Sequence, residues 1–408
     1  MSALLLTSVC VAQYSPFPGS DWGSLNDAGE KAYQRSQYEA AERFFNSALN
    51  AAKPFGPNDL RLATTLNDLG LLYRAQGQLQ RAEPLYRQSL AIREKKLGPN
   101  DLQVATSLNN LAGLLAAQSR YVDAEKMYKR ALAIRTAKLG KRSPEVATIL
   151  NNFAAMYSAE GKYDAAEPLL KQGLEIRESA LGPDHPEVAN SLNNLAGLYT
   201  SEGNYAKAEP LYQRAIAIDE KIQGPEQTAL TMDLSNLAAL YFQQEKYELA
   251  LPLDQRALDI RDKTLGPTHP LTGVSVQNLA RVYAALKKYD QAEALYKRAI
   301  EIFQTSIGPK SAEAGSALDD LSTMYMVAGN FAEAAAVFPQ LIAIEEAVFG
   351  PSAPILADTL AKYAQALRKL GRDAEADQAA SRGLKISAES KATGTKKPGS
   401  PKPTSNQL

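Results

Sequence analysis

Cysteine, histidine and unbalanced charge are what this chain of 408 residues has least of. Its only cysteine, Cys10, excludes an intramolecular disulfide. Lysine plus arginine number 45 and aspartate plus glutamate also 45. No surplus of positive charge therefore draws the protein onto nucleic acid, which needs a clustered basic surface. No stretch approaches the ~18 apolar residues of a membrane-spanning helix. What is present is ordinary for a folded soluble protein, with 45% apolar and 22% charged residues. The apolar run A-L-L-L-T-S-V-C-V-A at 3–12 reads as the core of a secretory signal, with small residues Cys10 and Ala12 before Gln13, but the positive leader is missing. Residues 1–21 are expected to be a signal-like or disordered segment. Export to a periplasmic or extracellular location follows if residues 1–12 are a signal, and a cytoplasmic location otherwise.

Self-similarity dominates the rest. Gly56, Gly98, Gly140, Gly182, Gly224, Gly266, Gly308 and Gly350 recur at one constant step. Ile92, Ile134, Ile176 and Ile218 keep that step through Ile386, and Ala82, Ala124, Ala166 and Ala208 keep it through Ala376. Within one unit, Val188, Leu192, Leu195, Ala196 and Tyr199 fall at steps of three and four, which predicts an amphipathic helix. Gly203-Asn204 breaks it. Tyr205, Ala208, Leu211, Tyr212, Ala215, Ile216 and Ile218 predict a second helix, ending at Gly224-Pro225. Ser143-Pro144, His185-Pro186 and His269-Pro270, with Asp59 and Asp101 in the same column, read as caps of the first helix. Each unit is thus a helical hairpin. The unvarying alanine marks the closest helix crossing, and the tyrosine column Tyr157, Tyr199, Tyr241, Tyr283 and Tyr325 reads as core packing.

Leu195-Ala196, Tyr199, Ala208, Tyr212 and Ala215 follow the tetratricopeptide pattern. The constant step, with L-G-P-x-H-P-x-V-A (181–189), S-L-N-N-L-A (191–196) and A-E-P-L-Y-x-R-A-I (208–216), resembles the kinesin light chain variety of that repeat. The resemblance covers residues 22–388 and implies an all-α, right-handed superhelical solenoid of about nine hairpins. The first unit fits only with one residue deleted. The last carries Asp373 in the aromatic column and Ala380 in place of tyrosine, as terminal caps do. No heptad coiled coil and no nucleotide-binding module accompany the array, so motor association is not implied. Residues 389–408, rich in lysine and proline, are expected to be a disordered basic tail.

Chemistry that would mark an enzyme is missing. His185 and His269 occupy the same loop column in two units and read as caps. Glu83, Glu125, Glu167 and Glu209 recur as a structural position does. No residue reads as catalytic or metal-binding, and no cofactor is expected. The resemblance implies instead that the first helices line the concave face, with two residues of each pointing into the groove. These are Asn67-Asp68, Asn109-Asn110, Asn151-Asn152, Asn193-Asn194, Ser235-Asn236, Gln277-Asn278 and Asp319-Asp320. Beyond them lie Gly113, Ala155, Gly197 and Ala239, a floor without bulk. A carboxamide matches the donor and acceptor of a peptide group. The resemblance implies that Asn67, Asn109, Asn110, Asn151, Asn152, Asn193, Asn194, Asn236 and Asn278 hold an extended peptide by its backbone. The alternative for one asparagine of each pair is a bond to the neighbouring hairpin that sets superhelical pitch. Asp27, Glu30 and Asp68 make the early end acidic, while Arg281, Lys362, Arg368 and Lys369 bring positive charge late. The expected partner is a protein or peptide segment in the groove, not nucleic acid. A second reading is a structural protein that self-associates through its terminal repeats.

Overall fold

A computed structural model describes residues 21–35, 37–221 and 227–393. Cys10 and the signal-like run at 1–12, the Gly224-Pro225 break and residues 394–408 lie outside the described residues. Eighteen α-helices and a 3-10 helix, Lys53–Phe55, form among the described residues, without a strand. None is long and apolar enough to cross a membrane.

The helices form two compact units, divided between Leu198 and Tyr199. In the first unit, hairpins are made by α1 (Trp22–Gln34) and α2 (Tyr38–Ala52), α3 (Leu60–Ala75) and α4 (Leu79–Leu97), α5 (Leu102–Ala117) and α6 (Tyr121–Leu139), and α7 (Pro144–Glu160) and α8 (Tyr163–Leu181). Helix α9 (Pro186–Ser201) carries the division between the units. The second unit continues with α10 (Tyr205–Asp219) and four hairpins. These are α11 (Gln227–Gln243) and α12 (Tyr247–Thr264), α13 (Pro270–Ala285) and α14 (Tyr289–Ser306), α15 (Ala312–Ala328) and α16 (Phe331–Phe349), and α17 (Pro354–Lys369) and α18 (Asp373–Thr393). The last helix runs to Thr393, past the expected start of the tail at 389, through Glu389, Lys391 and Ala392, which are good helix formers.

Local chemistry explains the boundaries. Asp59, Asp101 and Ser143 accept the amide protons of Arg61, Gln103 and Glu145. His185 and His269 do the same through Nδ1, from Glu187 at 3.2 Å and Leu271 at 3.1 Å, which settles their capping role. These bonds satisfy amides that the first turn of a helix leaves without partners. After the first hairpin the turn inside each is left-handed, taken by Gly77 at φ 72° and Gly161 at φ 82°, but also by Ser119, Glu245 and Lys287 near φ 60°.

The alanines of the periodic column, Ala82 through Ala376, are completely buried, as expected of a tight helix crossing. Tyr73 and Tyr241, ending first helices, donate their hydroxyls to Glu42 at 2.7 Å and Glu209 at 2.8 Å on the second helix of the hairpin before. The tyrosine column is therefore core with a polar tip, and its recurrent glutamate partners are structural.

Consecutive first helices touch directly: α1 with α3, α3 with α5 and α5 with α7 in the first unit, α11 with α13 and α13 with α15 in the second. Consecutive second helices do not pack on one another to this extent among the described residues. First helices therefore line the shorter, inner side of each stack, and that side carries the paired amides.

Candidate peptide-binding face

In the first unit the amide pairs divide into two behaviours. At the first three joints the leading residue of one pair bonds to the trailing residue of the next. Asn26 Nδ2 donates to Asp68 Oδ2 at 3.0 Å, Asn110 Nδ2 to Asn67 Oδ1 at 2.9 Å, and Asn152 Nδ2 to Asn109 Oδ1 at 3.0 Å. Asn67 is buried, so this bond satisfies a polar group that would be costly to leave alone. At the next joint the ladder stops. Asn151 Nδ2 makes only a long contact of 3.4 Å with Ser191 Oγ, its Oδ1 is buried without a partner, and Asn194 stands exposed. Asn193 is half-buried beside it.

The second unit repeats the division with other side chains. Gln277 Nε2 donates to Asp320 Oδ2 at 2.6 Å, and Lys362 Nζ pairs with Asp319 Oδ1 at 2.7 Å. Arg281 Nε also bonds to Asp320, at 2.6 Å. Asn236 and Asn278 are half-buried and take no part in such a rung. The structure thus joins Asn67, Asn109, Asn110 and Asn152 as hairpin-to-hairpin rungs and leaves Asn194, Asn236 and Asn278 with amides directed to no rung. The acidic early end is also held internally, since Asn26 bonds both Glu30 and Asp68. Burial, more than any neighbour, pushes both carboxyls above the usual range.

Two groups near this face escape sequence reasoning. Arginines of the second helices lie buried at the joints, reaching a hydroxyl one repeat on. Arg93 donates to Ser107 Oγ at 2.8 Å, Arg177 to Ser191 Oγ at 2.6 Å and Arg261 to Ser275 Oγ at 2.9 Å. Arg261 is only 1% exposed and also donates to Leu271 O at 2.9 Å and Thr231 Oγ1 at 3.0 Å. The signal was available: wherever that column holds Ser, an arginine stands at the same spacing ahead of it, near the end of the preceding helix. The second group is Asp254, 4% exposed, in a column otherwise filled by Tyr86, Tyr128, Tyr212, Tyr296 and apolar residues. Burial pushes its carboxyl up to about 7, with Arg261 and Arg281 opposing the rise.

No group of His, Cys, Asp and Glu able to hold a metal ion forms among the described residues. Among the described residues the arrangement offers hydrogen bonds in number.

A tetratricopeptide repeat model matches residues 24–95, 61–137, 103–179, 145–221 and 228–305, and another of the same description matches 315–354. Among solved structures the protein is similar to BtubC (BKLC) from P. vanneervenii, at 23% identity over 61% of this chain and 97% of that one, with a TM-score of 0.50. It is also similar to the apo form of the quorum sensor NprR from B. thuringiensis, at 15% identity, 90% and 98% coverage and a TM-score of 0.55. A third similarity is to a signal transduction ATPase with a tetratricopeptide repeat sensor from Pyrococcus horikoshii, at 18% identity, 87% and 53% coverage and a TM-score of 0.58. At these identities the likeness is one of fold. No curated protein matches the sequence.

Proposed function

The chain belongs to the tetratricopeptide repeat family, with the repeat period of its kinesin light chain-like members, and from that premise we propose that it is a non-enzymatic scaffold whose inner face binds an extended segment of a partner protein. The observation that carries this reading is the incomplete ladder. Asn194 is exposed, and Asn236 and Asn278 form no rung. Asn194 lies one helical turn before Gly197, and Asn236 one turn before Ala239, so the backbone of a guest can approach each closely. A carboxamide there offers two donors and an acceptor to a peptide group. The rungs at Asn110 and Asn152 differ, because their N–H groups already hold the neighbouring hairpin.

The test is a pair of double variants of the full-length protein, compared in melting and in affinity for a partner captured with it. Asn236→Ala with Asn278→Ala, both in the second unit, should shift stability within about ±0.5 kcal/mol, as surface positions do. Affinity should fall about five- to hundredfold, at roughly 0.5–1.5 kcal/mol net per hydrogen bond. Asn67→Ala with Asn109→Ala should instead lower the melting temperature, because each leaves a rung donor without its acceptor. Unchanged affinity in the first pair would refute the peptide-binding reading.

A further inference from the structure

The charge that balances over the whole chain is not balanced along it. Residues 51–150 hold sixteen lysines and arginines against eight aspartates and glutamates. Part of the surplus is neutralised within the fold, where Arg87 pairs with Glu83, Lys129 with Glu125 and Arg130 with Glu94. Lys53, Lys95, Lys96, Lys138, Lys141 and Arg142 are exposed and form no ion pair among the described residues.

All six stand at one edge of the first unit, where second helices end and first helices begin. Lys53 follows α2, Lys95 and Lys96 close α4, Lys138 closes α6, and Lys141 and Arg142 lie in the loop before α7. Successive loops adjoin. Asp59, before α3, has its carboxyl held low chiefly by Arg61 and also feels the charge of Lys96. Arg130 of α6 donates to Pro99 O, 2.9 Å away in the loop before α5. The acids of this edge are already engaged, for Asp59 bonds Arg61, Asp101 caps α5 and Glu145 bonds Ser143. Glu175 lines a shallow cleft with Lys141 and Arg142 and pairs with neither.

The stack itself does not call for this charge. Lys141 stands where the other loops of the unit have Pro57, Pro99 and Pro183. In the second unit the column of Lys96 and Lys138 holds Thr264, Ser306 and Val348. Apolar side chains stand among the cations: Phe55 is 50% exposed beneath the Arg61 guanidinium, and Leu139, next to Lys138, is 40% exposed.

We propose that this edge is a docking surface for the face of an anionic lipid bilayer. The inference is independent of the peptide-binding reading, since the edge lies at the helix ends whereas Asn109 and Asn110 lie in mid-helix. Five of the six cations are lysines, point charges on flexible stems that suit a diffuse layer of headgroups. A fixed phosphate or carboxylate is better met by the arginine fork. Clusters of about four to eight cations are drawn to anionic headgroups, and neighbouring apolar side chains then enter the acyl boundary. The protein would lie on the membrane and not span it.

The experiment sediments the full-length protein with vesicles of phosphatidylcholine alone, or of phosphatidylcholine and phosphatidylserine in the ratio two to one. At ~0.1 M salt it should bind the mixed vesicles at least about tenfold more tightly, and at ~1 M salt, where charge is felt over only about 3 Å, the difference should disappear. Lys95→Gln, Lys96→Gln, Lys138→Gln and Lys141→Gln together should abolish the preference with circular dichroism and melting unchanged. The same four positions changed to arginine should keep it. Lys141→Pro, which restores the residue of the column, should weaken it in part. Leu139→Ser should weaken binding to the mixed vesicles and leave its salt dependence. Equal binding to the two vesicles, a preference surviving in the fourfold glutamine variant, or one lost equally in Lys263→Gln with Lys310→Gln would overturn the proposal. So would indifference to Leu139→Ser, or release of the bound protein by polyglutamate or duplex DNA at equal anionic charge, which would assign the edge to a soluble polyanion.

Discussion

Replacing Asp254 with asparagine should change how the stability of the second unit depends on pH. Helix α12 points this aspartate where four other repeats bury a tyrosine, and it is 4% exposed. Burial raises its carboxyl from 3.8 to about 7 against the opposing charges of Arg261 and Arg281. In the unfolded protein it ionises near the ordinary value. Between those two values the folded state holds a proton that the unfolded state has lost, so stability falls as pH rises. The fall begins near pH 4 and levels off above about pH 7. At about 1.4 kcal/mol per pH unit, the loss between pH 5 and pH 8 comes to about 2–3 kcal/mol. Asparagine keeps the shape and cannot ionise. Urea unfolding of wild type and Asp254→Asn at pH 5, 6, 7 and 8 measures the difference directly. Glu345, which burial also pushes up to about 7, and His269, which burial pushes below 6.5, are common to both proteins and cancel. The variant should be the more stable at pH 8, by a margin that shrinks on going to pH 5. Parallel stability curves would show that Asp254 is solvated or paired in the folded protein and would refute the reasoning.

Ala208→Leu should be among the most damaging single changes, since Ala208 is wholly buried at a helix crossing and overpacking costs typically ~1–3 kcal/mol; an unaltered melting temperature would place the crossing elsewhere. Deleting residues 141–182, one period, should leave a well-folded helical protein by circular dichroism and gel filtration, whereas deleting only 141–161, half a period, should expose apolar surface and cause aggregation. Like behaviour of the two deletions would contradict the hairpin register.

The architecture was readable because it is written many times over. Gly98, Ala82 and Ile92 each recur at every period, so a weak local signal becomes strong by repetition, and caps as unlike as Asp59, Ser143 and His269 could be recognised by column. The face was readable only in part. Asn110 and Asn194 occupy the same column and look alike in the sequence, yet one closes a rung on Asn67 and the other stands exposed. Their fates depend on the distance to the preceding helix, which no residue type records. Asp254 was passed over for the opposite reason: a search for periodicity discards what occurs once.

The buried arginines give the joints of the second unit unequal mechanical character. Between α12 and α13, Arg261 is fastened to Thr231, Leu271 and Ser275 by bonds with fixed direction. One repeat later the same column holds Phe303, fully buried, so the joint between α14 and α15 has no arginine at this position. Directional bonds resist sliding, whereas apolar surfaces can shear over one another at little cost until they part. A load along this stack would accordingly be met by directional bonds in the core at one joint and on the inner face at the next. At the joint marked by Phe303 that fastening falls to Gln277 and Arg281, both bonded to Asp320.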